Sequence, residues 1–139
     1  MRFHYLCFWK GTGTMKLAFW KYQGAGNDFI LVDNRTAAWE LSEEQIAALC
    51  RRSFGIGADG LMMLETDPAG TDFYMRYYNA DGRESTMCGN GGRCIALFAD
   101  DLGLGGTVKR FNSSDGFHEA ELLPDGQIRL RMMDVTDIG

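Results

Sequence analysis

Apolar and polar positions divide the chain into short elements. Residues 16–22 (KLAFWKY) alternate and predict a strand. Gly24-Ala25-Gly26-Asn27 breaks it, and Phe29-Ile30-Leu31-Val32 follows as a fully apolar strand. Ser42 with Gln45 forms a capping box, and Ile46, Leu49 and Cys50 make a helical stripe up to about Arg52. Gly55 to Gly60 reads as a loop, 61–64 as a short apolar strand and Pro68-Ala69-Gly70 as a turn. Residues 72–79 (DFYMRYYN) alternate with aromatics and predict a strand, closed by the turn Asn79-Ala80-Asp81-Gly82. A second helix is expected from about Asn90 to Leu102, stopped by Gly103. Strands follow at 107–112, 117–123 and 127–133, the last two joined by Pro124-Asp125-Gly126 as a hairpin.

The second helix decides the architecture. Its stretch Cys94-Ile95-Ala96-Leu97-Phe98-Ala99 is apolar on every face, and such a helix is normally buried. Some seven strands with one buried helix predict an α+β fold, an antiparallel or mixed sheet curled around a central helix. The strands do not alternate regularly with helices, which disfavours a doubly wound parallel sheet.

Composition narrows the partners. The 139 residues suffice for one domain with a core, at 45% hydrophobic and 24% charged content. The formal net charge is −5, with no basic cluster beyond pairs such as Arg51-Arg52 and Lys109-Arg110. Neither a nucleic acid nor an anionic membrane surface is expected as a partner. Four cysteines at irregular spacing, with no CxxC pair, argue against a zinc ribbon or a disulfide scaffold and for a reducing, cytoplasmic compartment.

The first residues, MRFHYLCFWKGTGT, carry an apolar patch from Tyr5 to Trp9. It is too short for a signal-peptide core or a membrane span. Met15 precedes the first well-patterned strand, so it is expected to be the natural start, with 1–14 an upstream extension. Mass spectrometry of natively expressed protein beginning at Met1 would sink that expectation.

Candidate chemistry lies in STMCGNGGRC, residues 85–94. Gly55-Ile56-Gly57-Ala58-Asp59-Gly60 matches the dinucleotide fingerprint, but a helix precedes it and a strand follows, the reverse of the required order. His4 and His118 are the only histidines, and nothing in the pattern supports a Ser-His-Asp triad. Cys50 and Cys94 sit among apolar helix positions and read as core residues. Cys88 instead precedes a helix start among glycines, where the helix dipole favours thiolate over thiol. Cys88 and Cys94 are six residues apart, a net rotation of about 240° on a helix, so they would point apart rather than pair. A reactive Cys88 and a purely structural glycine bend both stand at this point.

The segments KYQGAGNDFILVDN, FGIGADGL and YYNADGRESTMCGNGGRC, in this order and spacing, resemble the first half of the diaminopimelate epimerase family, from about residue 16 to the end. MCGNGGRC is the specific part. Proline racemases, on a similar fold, carry Cys-Gly-His there, and the phenazine-pathway isomerases lack the cysteine. The resemblance implies a pyridoxal-independent isomerase that interconverts LL- and meso-diaminopimelate, on the route to lysine and peptidoglycan, with no cofactor. It implies two cysteines on opposite faces of the substrate α-carbon, Cys88 matching the first. It implies substrate contacts from Asn27 and Asn79, which from pattern alone read as turn residues, and from Gly89 and Asn90 at the helix start. Some family members carry a glutamine where this chain has Gly60, so a side-chain contact there is missing.

The family has two similar domains with substrate between them, and the resemblance makes residues 15–139 the first, still incomplete. Its second cysteine has no counterpart here. A free-standing half that binds a small amino acid or a protein partner without turnover is the alternative. A homodimer of halves, with two copies of Cys88 facing, is also conceivable.

Overall fold

A computed structural model describes residues 2–10, 13–24, 26–53, 55–86 and 89–133. The strands are β1 (Arg2–Lys10), β2 (Gly13–Gly24), β3 (Asn27–Asp33), β4 (Gly60–Glu65), β5 (Phe73–Asn79), β6 (Glu84–Ser85), β7 (Val108–Ser113), β8 (Gly116–Leu122) and β9 (Ile128–Met133). The helices are α1 (Glu43–Cys50), between β3 and β4, and α2 (Gly89–Asp101), between β6 and β7. All the described strands join one mixed sheet, in the order β1-β2-β3-β4-β5-β7-β8-β9, with β6 paired to β5.

Two neighbouring pairs are parallel, β3 with β4 and β5 with β7. Parallel neighbours need a crossover, which α1 and α2 supply. Both crossovers step the same way across the sheet but begin on strands of opposite direction, because β4 and β5 are antiparallel. A shared right-handed preference then puts the two helices on opposite faces.

The two cores bear this out. Trp20, Tyr22, Phe29, Leu31, Met62, Leu64, Phe73 and Met75 pack with Cys94, Ile95, Phe98 and Ala99 of α2. The intervening positions Leu17, Phe19, Ile30, Val32, Leu61 and Met63 pack with Ile46, Leu49 and Cys50 of α1. β3 and β4 are thus covered on both sides, which is why they read as unbroken apolar runs. Helix α2 touches β2, β3 and β4 as well as β8 and β9, so the sheet curls around it as a half-barrel.

Local signals formed as expected. Ser42 Oγ accepts from the Gln45 amide at 3.1 Å, and Gln45 Oε1 accepts from the Ser42 amide at 2.9 Å. Strand β1 departs from the sequence reading, which assigned no strand before residue 16; it pairs along its length with β2. The β2 strand also runs on through Gly24, which pairs with Asn27. Helix α2 is buried except along one outer line, where Leu97 is exposed.

The carboxyl end of α2 is anchored. Tyr22 Oη donates to Asp101 Oδ2 at 2.6 Å, and burial together with Asp101 holds this phenol above its ordinary pKa. The buried Lys109 Nζ donates to Asp100 Oδ1 at 3.0 Å and to the Leu104 carbonyl at 2.6 Å. With that end fixed on β2 and β7, the glycine-rich amino end is fixed in direction.

Candidate functional site at one end of the sheet

Strand register gathers the sequence-predicted positions. Phe29 pairs with Gly60, and Gly60 with Asn79, so the start of β3, the start of β4 and the end of β5 share one end of the sheet. Alternation places Asn27 with Phe29 and Leu31, and Asn79 with Phe73 and Met75, on the face that α2 covers. Ser85 of β6 pairs with Tyr77, and α2 begins four residues later at Gly89. Gly89 and Asn90 are its first two residues, while Cys88 lies outside the described residues. Gly91 and Gly92 are buried in the first turn of α2.

The loop from Gly55 to Gly60 does not cradle a phosphate. The amides of Ile56 and Gly57 donate to the Leu49 carbonyl at 2.9 and 3.1 Å, and that of Ala58 to Cys50 at 3.0 Å. Gly55 donates to Arg51 at 2.8 Å. These N–H groups satisfy the last carbonyls of α1, and Gly57 turns the chain in the left-handed region (φ 84°). The fingerprint is a helix stop.

Beside it lies a charged cluster that sequence reasoning missed. Arg52 donates to both oxygens of Asp28, at 2.8 and 3.1 Å, and to Asp59 Oδ1 at 2.9 Å. Lys21 Nζ donates to Asp28 Oδ2 at 2.7 Å and to the Gly57 carbonyl. The Arg52 hydrogen bonds, outweighing burial and helped by Lys21, hold the Asp28 carboxyl well below the usual carboxylate range. Asp59 Oδ2 accepts from Asn27 Nδ2 at 3.2 Å and from the Asp28 amide at 3.0 Å. The visible sequence signals were Arg52, noted only as half of a basic pair, and an acid inside the fingerprint loop.

Gly60 is explained by its neighbour. A Cβ there would stand 2.8 Å from Tyr77 Cε2, 2.8 Å from the Tyr78 carbonyl and 2.9 Å from Tyr77 Oη. The Tyr77 ring and the Tyr78 carbonyl together occupy the volume that a side chain at position 60 would need.

Cys50 and Cys94 are free and buried, the core residues that the helix pattern predicts. Burial pushes the Cys50 thiol up to about 11, the opposite of activation. His118 is fully buried on β8 and stacks on Phe111 with ring centroids 5.2 Å apart. Ser113 and Asp115 both meet its Nε2, at 3.0 and 3.1 Å, while Nδ1 finds no partner among the described residues. A Ser-His-Asp relay needs acid and hydroxyl on different nitrogens, so this trio is not one.

Comparison with known proteins identifies the family. The diaminopimelate epimerase family model matches residues 19–137. The chain is 49% identical over 125 residues to the diaminopimelate epimerase of Flavobacterium psychrophilum, covering 89% of this chain and 48% of that one. It is 49% identical over 116 residues to the enzyme of Chlorobaculum tepidum, covering 82% of this chain and 45% of that one. A Synechococcus diaminopimelate epimerase is 56% identical over 97 residues, 67% of this chain and 33% of that one. The chain therefore spans about half the length, or less, of these curated relatives. Among solved structures, a Bacillus anthracis phenazine biosynthesis protein of the PhzF family superposes with a TM-score of 0.56 at 19% identity, covering 92% of this chain and 38% of that one. An Enterococcus faecalis protein of that family gives 0.54 at 15% identity, covering 71% and 35%. These two likenesses establish the fold alone. Family-model match, identity to curated relatives and fold together make this chain a member of the diaminopimelate epimerase family.

Proposed function

We propose that the chain is the first-domain half of a cofactor-independent diaminopimelate epimerase, with Cys88 as one of two proton-transfer thiols. The observation that supports the reading is the strand register that sets Asn27 and Asn79 at one sheet end, in a chain of this family whose α2 opens on Gly89-Asn90-Gly91-Gly92. The substrate α-carboxylate lies on the N–H groups of Gly89 to Gly92, where the helix dipole favours an anion. Asn27 and Asn79 hold polar ends of the zwitterion through neutral amides, which donate or accept as needed.

In the reaction the Cys88 thiolate takes the α-proton, and the electron pair of that C–H bond stays on the carbon. The developing charge spreads into the carboxylate, which the helix start stabilises in place, the task an oxyanion hole performs. A thiol from a second domain returns one proton to the opposite face and leaves as thiolate. The reverse direction exchanges the two roles. Diaminopimelate is the small-molecule partner, in the cytoplasm, on the route to lysine.

Because the chain spans about half of its relatives, a second reading stays open: a half-domain that binds an amino acid or a protein without turnover. The test is proton NMR of LL-diaminopimelate with the 139-residue chain in heavy water. One thiolate on one face can exchange the α-proton for deuterium but cannot invert the carbon. The expected result is slow loss of the α-proton signal with retention, abolished by Cys88→Ala. Exchange that survives Cys88→Ala removes Cys88 as the base, and absence of exchange in the intact chain favours the second reading.

A further inference from the structure

We infer that α1 is a brace between the two chain segments that carry Asn27 and Asn79, with Gly82 and Arg52 as the positioning residues at its two ends. The brace stands on packing and hydrogen bonds; its bearing on a ligand rests on the proposed function.

One end is backbone against backbone. Gly82 is buried in the turn after β5, where its amide donates to the Asn79 carbonyl at 2.9 Å and the Asn79 amide donates to the Arg83 carbonyl at 2.9 Å. A Cβ on Gly82 would run into the carbonyl oxygen of Glu43 and stand 2.7 Å from its carbonyl carbon and 2.8 Å from its Cα. Glu43 is the first residue of α1. The turn therefore rests on the helix start, and the atoms it meets are backbone, which cannot rotate aside as a side chain can.

The other end is a set of charged hydrogen bonds. Arg52, just past the end of α1, donates to both oxygens of Asp28 at 2.8 and 3.1 Å and to Asp59 Oδ1 at 2.9 Å. Such a forked pair fixes geometry as well as contributing energy. Asp28 follows Asn27 at the start of β3, and its amide and carbonyl both bond Asp59, at 3.0 and 2.9 Å. Between the ends, Ile46, Leu49 and Cys50 pack on β3 and β4 and hold α1 along its length. Eight residues make a helix about 12 Å long, and β3 lies two strand spacings from β5, about 10 Å, so α1 is long enough to span them.

The sheet offers a second route between the same segments, because Asn79 pairs with Gly60 and Gly60 with Phe29. The experiment separates the two routes in nitrogen-15 labelled chain by comparing Gly82→Ala with Gly70→Ala. Gly70, in the turn before β5, has φ 89° against 88° for Gly82 but nothing within 4 Å of its Cβ position. It reports backbone strain without the collision. Gly82→Ala should shift the amides of residues 43–50 and reach Asp28 and Asp59, whereas Gly70→Ala should leave all of these in place. Arg52 is 59% exposed, so Arg52→Ala leaves the core packed even if Gly82→Ala does not fold. From its end of the helix it should shift the amides of Asp81 and Gly82. Shifts that run through Gly60 and Phe29 while residues 44–50 stay still would assign the coupling to the sheet and overturn the brace. Unmoved Asp81 and Gly82 amides in Arg52→Ala would overturn it too. With diaminopimelate added, affinity should fall about tenfold in Gly82→Ala and in Arg52→Ala and hold in Gly70→Ala, the size of one hydrogen bond to a charged group. An equal loss in Gly70→Ala, or none in the other two, overturns the positioning roles. If the wild-type chain binds no diaminopimelate, the ligand half falls with the proposed function, and the ligand-free spectra still decide whether α1 is a brace.

Discussion

At the residue scale, thiols and carboxylates behave according to what surrounds them. Cys50 is buried at the end of α1, its thiol pushed up to about 11 by burial, which keeps it protonated at pH 8. Iodoacetamide at pH 8, followed by peptide mass mapping, should modify Cys88 and leave Cys50 and Cys94 untouched until denaturant is added. Rapid labelling of Cys50 in the native chain would contradict its place in the core. Asp28 makes the opposite case. Arg52 and Lys21 lower its pKa in the folded state, so its stabilising contribution is complete above the ordinary carboxylate value of about 3.9 and is lost as pH falls through the folded value. Urea midpoints measured between pH 6 and pH 2 should drop at the acid end in wild type. They should drop less steeply in Asp28→Asn, which is also less stable at pH 6. Parallel curves would show that Asp28 has no part in acid sensitivity.

At the scale of elements, what could be read from sequence was what neighbours along the chain decide. The Ser42–Gln45 box, the stop at Gly103 and the 124–126 hairpin each depend on a few adjacent residues. The parallel pairing of β3 with β4 does not, and neither does the bond from Asn27 to Asp59, whose partners lie 32 residues apart. Strand β6 is two residues long, too short for any alternation to show. The apolar patch at Tyr5 to Trp9 lacks a period-2 pattern, yet it joins β1 because β2 offers it a partner. The fingerprint loop was rightly set aside on order alone, but its role as the cap of α1 needed the carbonyls of Leu49 and Cys50 in place. Gly60 is where element packing gives a number. Gly60→Ala forces the Tyr77 ring or the β5 backbone to shift and should cost about 1–3 kcal/mol in urea unfolding, as overpacking does. In the Tyr77→Ala background the same change should cost less but still destabilise, because the ring atoms are gone while the Tyr78 carbonyl stays 2.8 Å away. Equal costs in both backgrounds would mean that the Tyr78 carbonyl, not the ring, excludes the side chain.

At the scale of the whole molecule, the curled sheet does two things. It buries Ile95, Ala96, Phe98 and Ala99 as its core, and its register brings the start of β3, the start of β4 and the end of β5 to one sheet end. The fold class was readable from the apolar second helix and the strands around it, whereas Asn27, Asn79, Gly89 and Asn90 were singled out only by resemblance to a known family. The supporting cluster of Lys21, Asp28, Arg52 and Asp59 was not, since each member reads alone as an ordinary surface charge. The central claim is that these parts form one ligand site. Titrating the labelled chain with diaminopimelate while following every amide tests it most directly. The account predicts shifts confined to the side-chain amides of Asn27 and Asn79 and the backbone amides of residues 89–92. Shifts centred instead on the cavity of about 420 Å³ between Leu97, Leu122 and Ile128, with the sheet end silent, would contradict it.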